Sequence, residues 1–143
     1  MLYCFDYLVK LVSFPVYVFI GLCCHIINIY WENKINGTKP KGLENIGNTC
    51  FMNAILQNLA WCPKLEAELE MIKLEEFCKM TKCILQLLKY SHSKEPIDFK
   101  PSEVLGAARK KNNRFNGNYQ QDSFEMFNTI IEAMEDELQQ LNK

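Results

Sequence analysis

The stretch from Asp122 to the C-terminus carries the pattern that most constrains the fold. Apolar residues recur there at steps of three and four, at Phe124, Phe127, Ile131, Met134, Leu138 and Leu141. This spacing follows the 3.6-residue period of an α-helix and leaves one apolar face that must pack against other elements. Asp122, with Glu125 three residues later, resembles a capping box at the start of this helix. The rest of the chain must therefore supply partners for a long amphipathic helix.

Further helices are predicted upstream. One begins at Cys50, where Asn48 or Thr49 can cap it, and Pro63 ends it or opens the next helix. Residues 64–90 favour one or two helices, and 101–111 a short helix with proline in its first turn. Segments 91–96 and 112–119 are predicted to be turn and loop, and no segment has a convincing strand period. The candidate core positions of 64–90 are Leu74, Phe77, Cys78, Ile84, Leu87 and Leu88. The sequence therefore predicts a mainly α unit.

The N-terminal segment has a different composition. Residues 11–31 form a run of 21 residues without Lys, Arg, Asp or Glu, about the length that crosses a hydrocarbon core of about 30 Å. Tyr30 and Trp31 end the run, where an aromatic belt would lie, and lysines follow it. We therefore predict a transmembrane anchor in residues 1–31, a linker in 32–41, and a C-terminal side that faces the cytosol.

Three alternatives to the anchor stay open. The run could be a cleaved signal peptide, although its basic region is poor and no A-x-A site follows. It could be a buried helix of a soluble domain. It could also come from a wrong gene model, in which case the protein would be cytoplasmic.

Charge and cysteine content narrow the function classes. The chain has 16 basic and 17 acidic residues and a net charge of −1, so charge suggests no nucleic-acid partner. Its seven cysteines contain no CxxC pair, and a zinc finger or ribbon needs paired ligands at short spacing. We therefore expect no metal site and no cofactor, and free thiols in a reducing compartment.

Cys50 stands where a thiol can become a nucleophile. It follows the loop GLENIGNT at a predicted helix start, where the amide groups and the helix dipole favour a thiolate. Gly47 lets the backbone come close to a substrate, and Asn45 or Asn48 can aim an amide at a developing oxyanion. From local physics alone the alternative stays open, namely that Cys50 is a small buried residue of an ordinary helix.

Two motifs resemble one enzyme family. GLENIGNTCFMNAILQNL is similar to the cysteine box of the ubiquitin-specific proteases, papain-like deubiquitinases with finger, palm and thumb regions. NGNYQQDSFEMFNTIIEAM resembles the family's QQD segment, which opens a thumb helix beside the groove for the ubiquitin tail. The resemblance implies that residues 42–143 are the helical thumb portion of such a catalytic domain. The implied partners are ubiquitin and ubiquitinated proteins.

The resemblance also implies roles for individual residues. Cys50 would attack the carbonyl at the C-terminal glycine of ubiquitin, and Asn45 would help to form the oxyanion hole with the Cys50 amide. Asp122 would hold the extended ubiquitin tail, with support from the neighbouring Gln120, Gln121 and Glu125. Asn53 and Gln57 match polar positions of the box and would brace the loop.

The histidine of such a protease is not evident. Of the two histidines, His25 lies in the apolar run on the wrong side of Cys50, and His92 lies in SHSKEP without the family's histidine context. We therefore expect a truncated catalytic domain that is inactive alone. Two other functions stay open: an inactive module that binds ubiquitin or another partner, and a membrane-anchored helical protein whose cysteine box is a relic.

Overall fold

Five α-helices and one short 3₁₀ helix form the part of the chain that the computed structural model describes, residues 41–143. They are α1 (Cys50–Ala60), α2 (Pro63–Glu70), α3 (Lys79–His92), α4 (Pro101–Lys111), the 3₁₀ helix Asn113–Asn116, and α5 (Ser123–Leu141). No strand occurs within 41–143, and this confirms the mainly α class that the sequence predicts.

The predicted anchor falls outside this range. Residues 1–31 and all of the linker except Lys41 lie outside the described residues. Within 41–143, no helix combines the length and the apolar character needed to cross a bilayer.

Helix α3 lies at the centre of the unit and packs against α1, α2, α4 and α5. Its buried positions are Met80, Thr81, Cys83, Ile84, Leu87, Leu88 and Ser91. A helix contacted by four others needs such a broad buried face, and each fully buried Leu or Met contributes about 1.5–3 kcal/mol. This helix therefore fixes how the remaining helices are arranged.

Helix α1 presents one face to this core and another to solvent. Its buried residues are Phe51, Met52, Leu56, Leu59 and Ala60. Cys50 and Ala54 are both exposed. Because these two residues are four positions apart, they share the face that turns away from the core. The position of Cys50 on α1 therefore follows from the apolar pattern of the whole helix.

The first turn of α3 is capped by a carboxylate from α5. Glu137 accepts hydrogen bonds from the Met80 N–H and the Thr81 N–H, both at 2.9 Å, and from the Thr81 hydroxyl at 2.7 Å. Cys78, the residue at the cap position itself, makes no such side-chain bond. A negative charge at a helix N-terminus satisfies amides that have no partner within the helix. Glu137 thus ties the second half of α5 to the start of α3.

The apolar stripe predicted for α5 is partly wrong. Ile131, Met134 and Leu138 are buried as predicted, but Phe124 is 50% exposed. The buried face is centred on residues four apart, Met126, Ile130 and Met134. Phe124 lies two residues before Met126, which places it about 200° around the helix, on the opposite side.

The region 64–90 contains two helices separated by a non-helical connection at residues 71–78. Cys78, Ile84, Leu87 and Leu88 are buried as predicted. Leu74 is only half-buried, and Phe77 is exposed, so its prediction as a core residue is wrong. Both lie in the connection, where a helical spacing argument no longer applies. His92 is also not in a polar turn, because α3 continues to it.

Candidate active site

The loop before Cys50 is closed by Asn45 and Thr49. The Asn45 Oδ1 accepts hydrogen bonds from the Thr49 N–H at 3.2 Å and from the Thr49 hydroxyl at 3.0 Å. Since a backbone amide can only donate, the atom that faces it must be the amide oxygen of Asn45. The Nδ2 amino group of Asn45 then stays available to donate to another acceptor.

Two residues between these anchors adopt left-handed backbone conformations. Gly47 has φ +96° and Asn48 has φ +46°. Glycine reaches this region without steric cost, and asparagine is among the residues that tolerate it. The chain thereby turns sharply just before α1, so that Cys50 becomes the first residue of the helix.

Helix α1 braces the same loop from its side. The Asn53 Nδ2 donates to the Glu44 carbonyl at 3.1 Å, and the Gln57 Nε2 donates to the Lys41 carbonyl at 3.0 Å. These are the bracing contacts that the sequence predicted for Asn53 and Gln57. The Tyr90 hydroxyl, from α3, adds a bond to the Gly42 carbonyl at 2.9 Å. The loop is therefore held against two helices.

Asp122 caps the start of α5. Its Oδ1 accepts from the Phe124 N–H at 2.7 Å and from the Glu125 N–H at 3.1 Å. Only half of the predicted capping box forms, because the Glu125 carboxylate turns elsewhere. Glu125 accepts from the Asn112 Nδ2 at 3.0 Å and lies 3.5 Å from the Arg114 guanidinium. Glu125 thus ties α5 to the segment that follows α4.

The start of α1, together with the loop before it, is joined to the segment before α5 at three points. The Asn48 Nδ2 donates to the Asn118 carbonyl at 2.9 Å. The Gln120 Nε2 lies 3.3 Å from the Cys50 Sγ as a donor. Below them, the buried rings of Phe51 and Phe115 stack with centroids 6.0 Å apart and planes at 15°. Residues 64 to 70 positions apart in the sequence are therefore held side by side.

A surface cavity of about 590 Å³ lies between the start of α1 and the segment that leads into α5. It is lined by Cys50, Phe51, Ala54, Gln120, Gln121, Asp122 and Ser123. Of the residues predicted for the site, the fold brings Cys50, Gln120, Gln121 and Asp122 to this cavity. Asn45 lies in the loop that leads to it. Glu125 is not part of the lining; its carboxylate contacts Asn112 and Arg114, which the sequence did not predict.

His92 lies at the other end of α1. Its ring packs against Trp61, the residue after α1, with centroids 5.8 Å apart, and its Nδ1 pairs with the Glu66 carboxylate. Since Cys50 is the first residue of this 11-residue helix, the two sites are separated by about 16 Å of helix. His92 therefore cannot take a proton from Cys50 in this arrangement. Residues 41–143 contain no second histidine.

An exposed thiol at a helix N-terminus, beside amide donors and an open cavity, defines a candidate thiol-hydrolase site. The family model described as Ubiquitin carboxyl-terminal hydrolase matches residues 41–143. The chain belongs to this family.

Individual proteins similar to this chain carry the same family name. The chain is 31% identical over 116 residues to Ubiquitin carboxyl-terminal hydrolase 16 of Mus musculus and of Rattus norvegicus, covering 66% of this chain and 14% of each relative. It is 31% identical over 118 residues to Ubiquitin carboxyl-terminal hydrolase 30 of Danio rerio, covering 74% of this chain and 24% of the relative. The chain thus spans a quarter or less of the length of these relatives.

Proposed function

We propose that residues 41–143 are the thumb-side portion of a cysteine deubiquitinase and that Cys50 is its nucleophile. The observation that carries this proposal is the exposed Cys50 thiol at the start of α1, held at 3.3 Å from Gln120 of the QQD segment. The two motifs of the family resemblance meet at this contact and at the Asn48–Asn118 hydrogen bond.

The chemistry follows from the groups at the cavity. The Cys50 thiolate attacks the carbonyl carbon at the C-terminal glycine of ubiquitin, a C–S bond forms, and the carbonyl oxygen takes the negative charge. The Cys50 N–H and the free Nδ2 of Asn45 are the proposed donors to this oxygen. One such donor contributes about 2.7–4 kcal/mol to lowering the barrier. The C–N bond then breaks, the amine leaves with a proton, and water hydrolyses the thioester.

The α5 side of the cavity is the proposed site for the ubiquitin tail. Both amides capped by Asp122 bind its Oδ1, so the Oδ2 is left for a donor of the incoming chain. Gln121 lines the cavity next to it and can offer its side-chain amide. Glu125 contributes indirectly, because its contacts with Asn112 and Arg114 support the start of α5.

The base is the missing part of this proposal. The thiol proton, and later the proton for the leaving amine, need an acid–base group close to Cys50. Within 41–143, the single histidine is held at the far end of α1 by Glu66 and Trp61. This geometry favours a second candidate function, a module that binds ubiquitin without turnover, and we expect the 143-residue chain alone to be inactive.

A ubiquitin carrying a C-terminal electrophile tests the site. We expect one covalent adduct with the full chain, lost in Cys50→Ala and kept in Cys62→Ala, a matched change at another thiol that is not fully buried. An adduct that persists in Cys50→Ala would contradict the assignment of Cys50 as the nucleophile.

Turnover needs a separate assay. A fluorogenic amide of the ubiquitin C-terminus should not be hydrolysed by the 143-residue chain. Hydrolysis by the unmodified chain that is lost in Cys50→Ala would show that a base is present. It would also contradict the second candidate function, a module that binds ubiquitin without turnover.

Membrane anchoring stays a prediction from residues 1–31 alone, with residues 42–143 facing the cytosol. We expect the full chain to remain with membranes during alkaline carbonate extraction and a variant without residues 1–31 to be released. Release of both would contradict the anchor.

A further inference from the structure

The segment Asn118–Asp122 is fixed at both of its ends. The Asn118 carbonyl accepts a hydrogen bond from the Asn48 side chain of the cysteine loop at 2.9 Å. The Asp122 side chain is bound to two amides of α5. Gln120 lies midway, two residues from each anchor. Its place beside the cavity is therefore set by the fold as well as by its own side chain.

The Gln120 amide faces the reacting atom of the site. Its Nε2 donates to the Cys50 Sγ at 3.3 Å. A thiolate can only accept hydrogen bonds, so a donor at this position stabilises the charged form of the sulfur. The nearest carboxylate of the cavity lining, Asp122, has one oxygen bound to two backbone amides, which reduces its repulsion of the sulfur.

We infer that Gln120 holds the Cys50 thiolate in place before substrate arrives, by donating a hydrogen bond to the sulfur. This role differs from support of the ubiquitin tail, and it rests on the proposed function of Cys50 as the nucleophile. The sulfur loses its charge as the C–S bond forms, so the hydrogen bond weakens in that step. The Gln120 amide is then released to contact the incoming chain.

The test uses alkylation of Cys50 by iodoacetamide near neutral pH, in which the thiolate displaces iodide. Gln120→Met keeps the length of the side chain and removes the donor. Gln120→Glu keeps the shape, removes the donor and adds a negative charge. Ser123→Ala is the matched control, because this serine lines the same cavity and has no role in the proposed site. Peptide fragmentation by mass spectrometry separates Cys50 from the other thiols.

The expected size follows from two opposing effects. A hydrogen bond from a neutral donor stabilises a charged acceptor by a free energy that corresponds to a factor of about ten. A thiolate that is less stabilised is also more nucleophilic, and this recovers about half of the change on a logarithmic scale. We therefore expect Gln120→Met to react about threefold more slowly and Gln120→Glu about tenfold more slowly. Ser123→Ala should react as the unmodified chain does.

Two results would overturn the inference. In the first, Gln120→Met and Gln120→Glu react as fast as the unmodified chain; in the second, Ser123→Ala slows as much as they do. Because iodoacetamide needs no ubiquitin, the two proposals can fail separately. If the alkylation rates follow the expected order but the unmodified chain forms no ubiquitin adduct, the deubiquitinase proposal fails and the Gln120–thiolate contact stands. A normal adduct with unchanged rates in all variants would remove the Gln120 role alone.

Discussion

The two ends of helix α1 differ in almost every physical respect. At its start, Cys50 is exposed beside an open cavity and contacts a polar side chain from another segment. At its end, the His92 side chain is only 8% exposed and is held by Trp61 and Glu66. One end has the accessible thiol of Cys50, whereas the other has an imidazole that is buried in contacts with its neighbours.

This difference shows that the presence of a cysteine and a histidine in one small unit does not make a catalytic pair. Nucleophile and base must lie within hydrogen-bond reach of each other. Here the helix that begins with Cys50 also separates this thiol from His92. Changes at the two ends should therefore have separate effects, and the following predictions test this separation.

The largest effect is expected in the middle of α1, where Leu56 is fully buried. Leu56→Ala should lower the free energy of unfolding by about 3 kcal/mol, because it removes buried methyl groups and leaves a cavity. Urea unfolding measures this loss. Ala54→Ser, on the exposed face of the same helix, is the matched control and should change stability by under about 0.5 kcal/mol. A Leu56→Ala loss below about 1 kcal/mol would mean that α1 is not anchored as described.

The core of the unit can be tested through Cys83, a buried residue of α3. Burial, reinforced by the charges of Glu103 and Glu137, raises the pKa of this thiol from 9.0 to about 11. The unfolded chain then releases this proton first as pH rises, so stability is present below pH 9 and lost as pH rises towards about 11.

We expect this loss to reach about 2 kcal/mol, to be measured by urea unfolding at a series of pH values. The Cys83→Ala variant should lose correspondingly less stability over the same pH range. Equal losses in both chains would show that this thiol is not protected by the core.

At the far end of α1, His92→Ala should lower stability by about 1–2 kcal/mol, because it leaves the Glu66 carboxylate without this partner and removes packing from Trp61. His92→Asn keeps a donor near the Nδ1 position and should lose less. Alkylation of Cys50 should keep its rate in both variants. A strong decrease of that rate would mean that the two ends are coupled.

The smallest effect on stability is expected at the Cys50 end. Cys50→Ala should leave the free energy of unfolding within about 0.5 kcal/mol of the unmodified chain, since the side chain is exposed and caps nothing. Thermal unfolding followed by circular dichroism checks this. A larger loss would show that the thiol has a structural role, and the adduct test would then need the more conservative Cys50→Ser.

Local signals predicted much of the fold. The bounds 101–111 of α4 agree with the prediction, and so does the start of α1 at Cys50. The misplaced residues, Phe77 and Phe124, lie in a connection and in a first helical turn, where spacing alone does not say which side a neighbour covers. The Glu137 cap of α3 was not predictable, because the donor Met80 and the acceptor are 57 residues apart in sequence.

The same limit applies to the site. The resemblance predicts a site made of Cys50 and the QQD residues 120–122, and the fold places all four residues at one cavity. The contact of Gln120 with the sulfur spans 70 residues and depends on how two side chains are oriented across a gap. No local pattern encodes such a distance. The position of His92 likewise depends on how far α3 continues.

The cap that Glu137 places on α3 also has a consequence for the order of folding. The amides of Met80 and Thr81 find their partner only after α5 has docked, 56 or 57 residues later in the chain. We therefore expect the first turn of the central helix to be fully stabilised only when α5 packs against it, and the unit to fold as one cooperative body. In hydrogen exchange, these two amides should become protected together with α5 and no earlier.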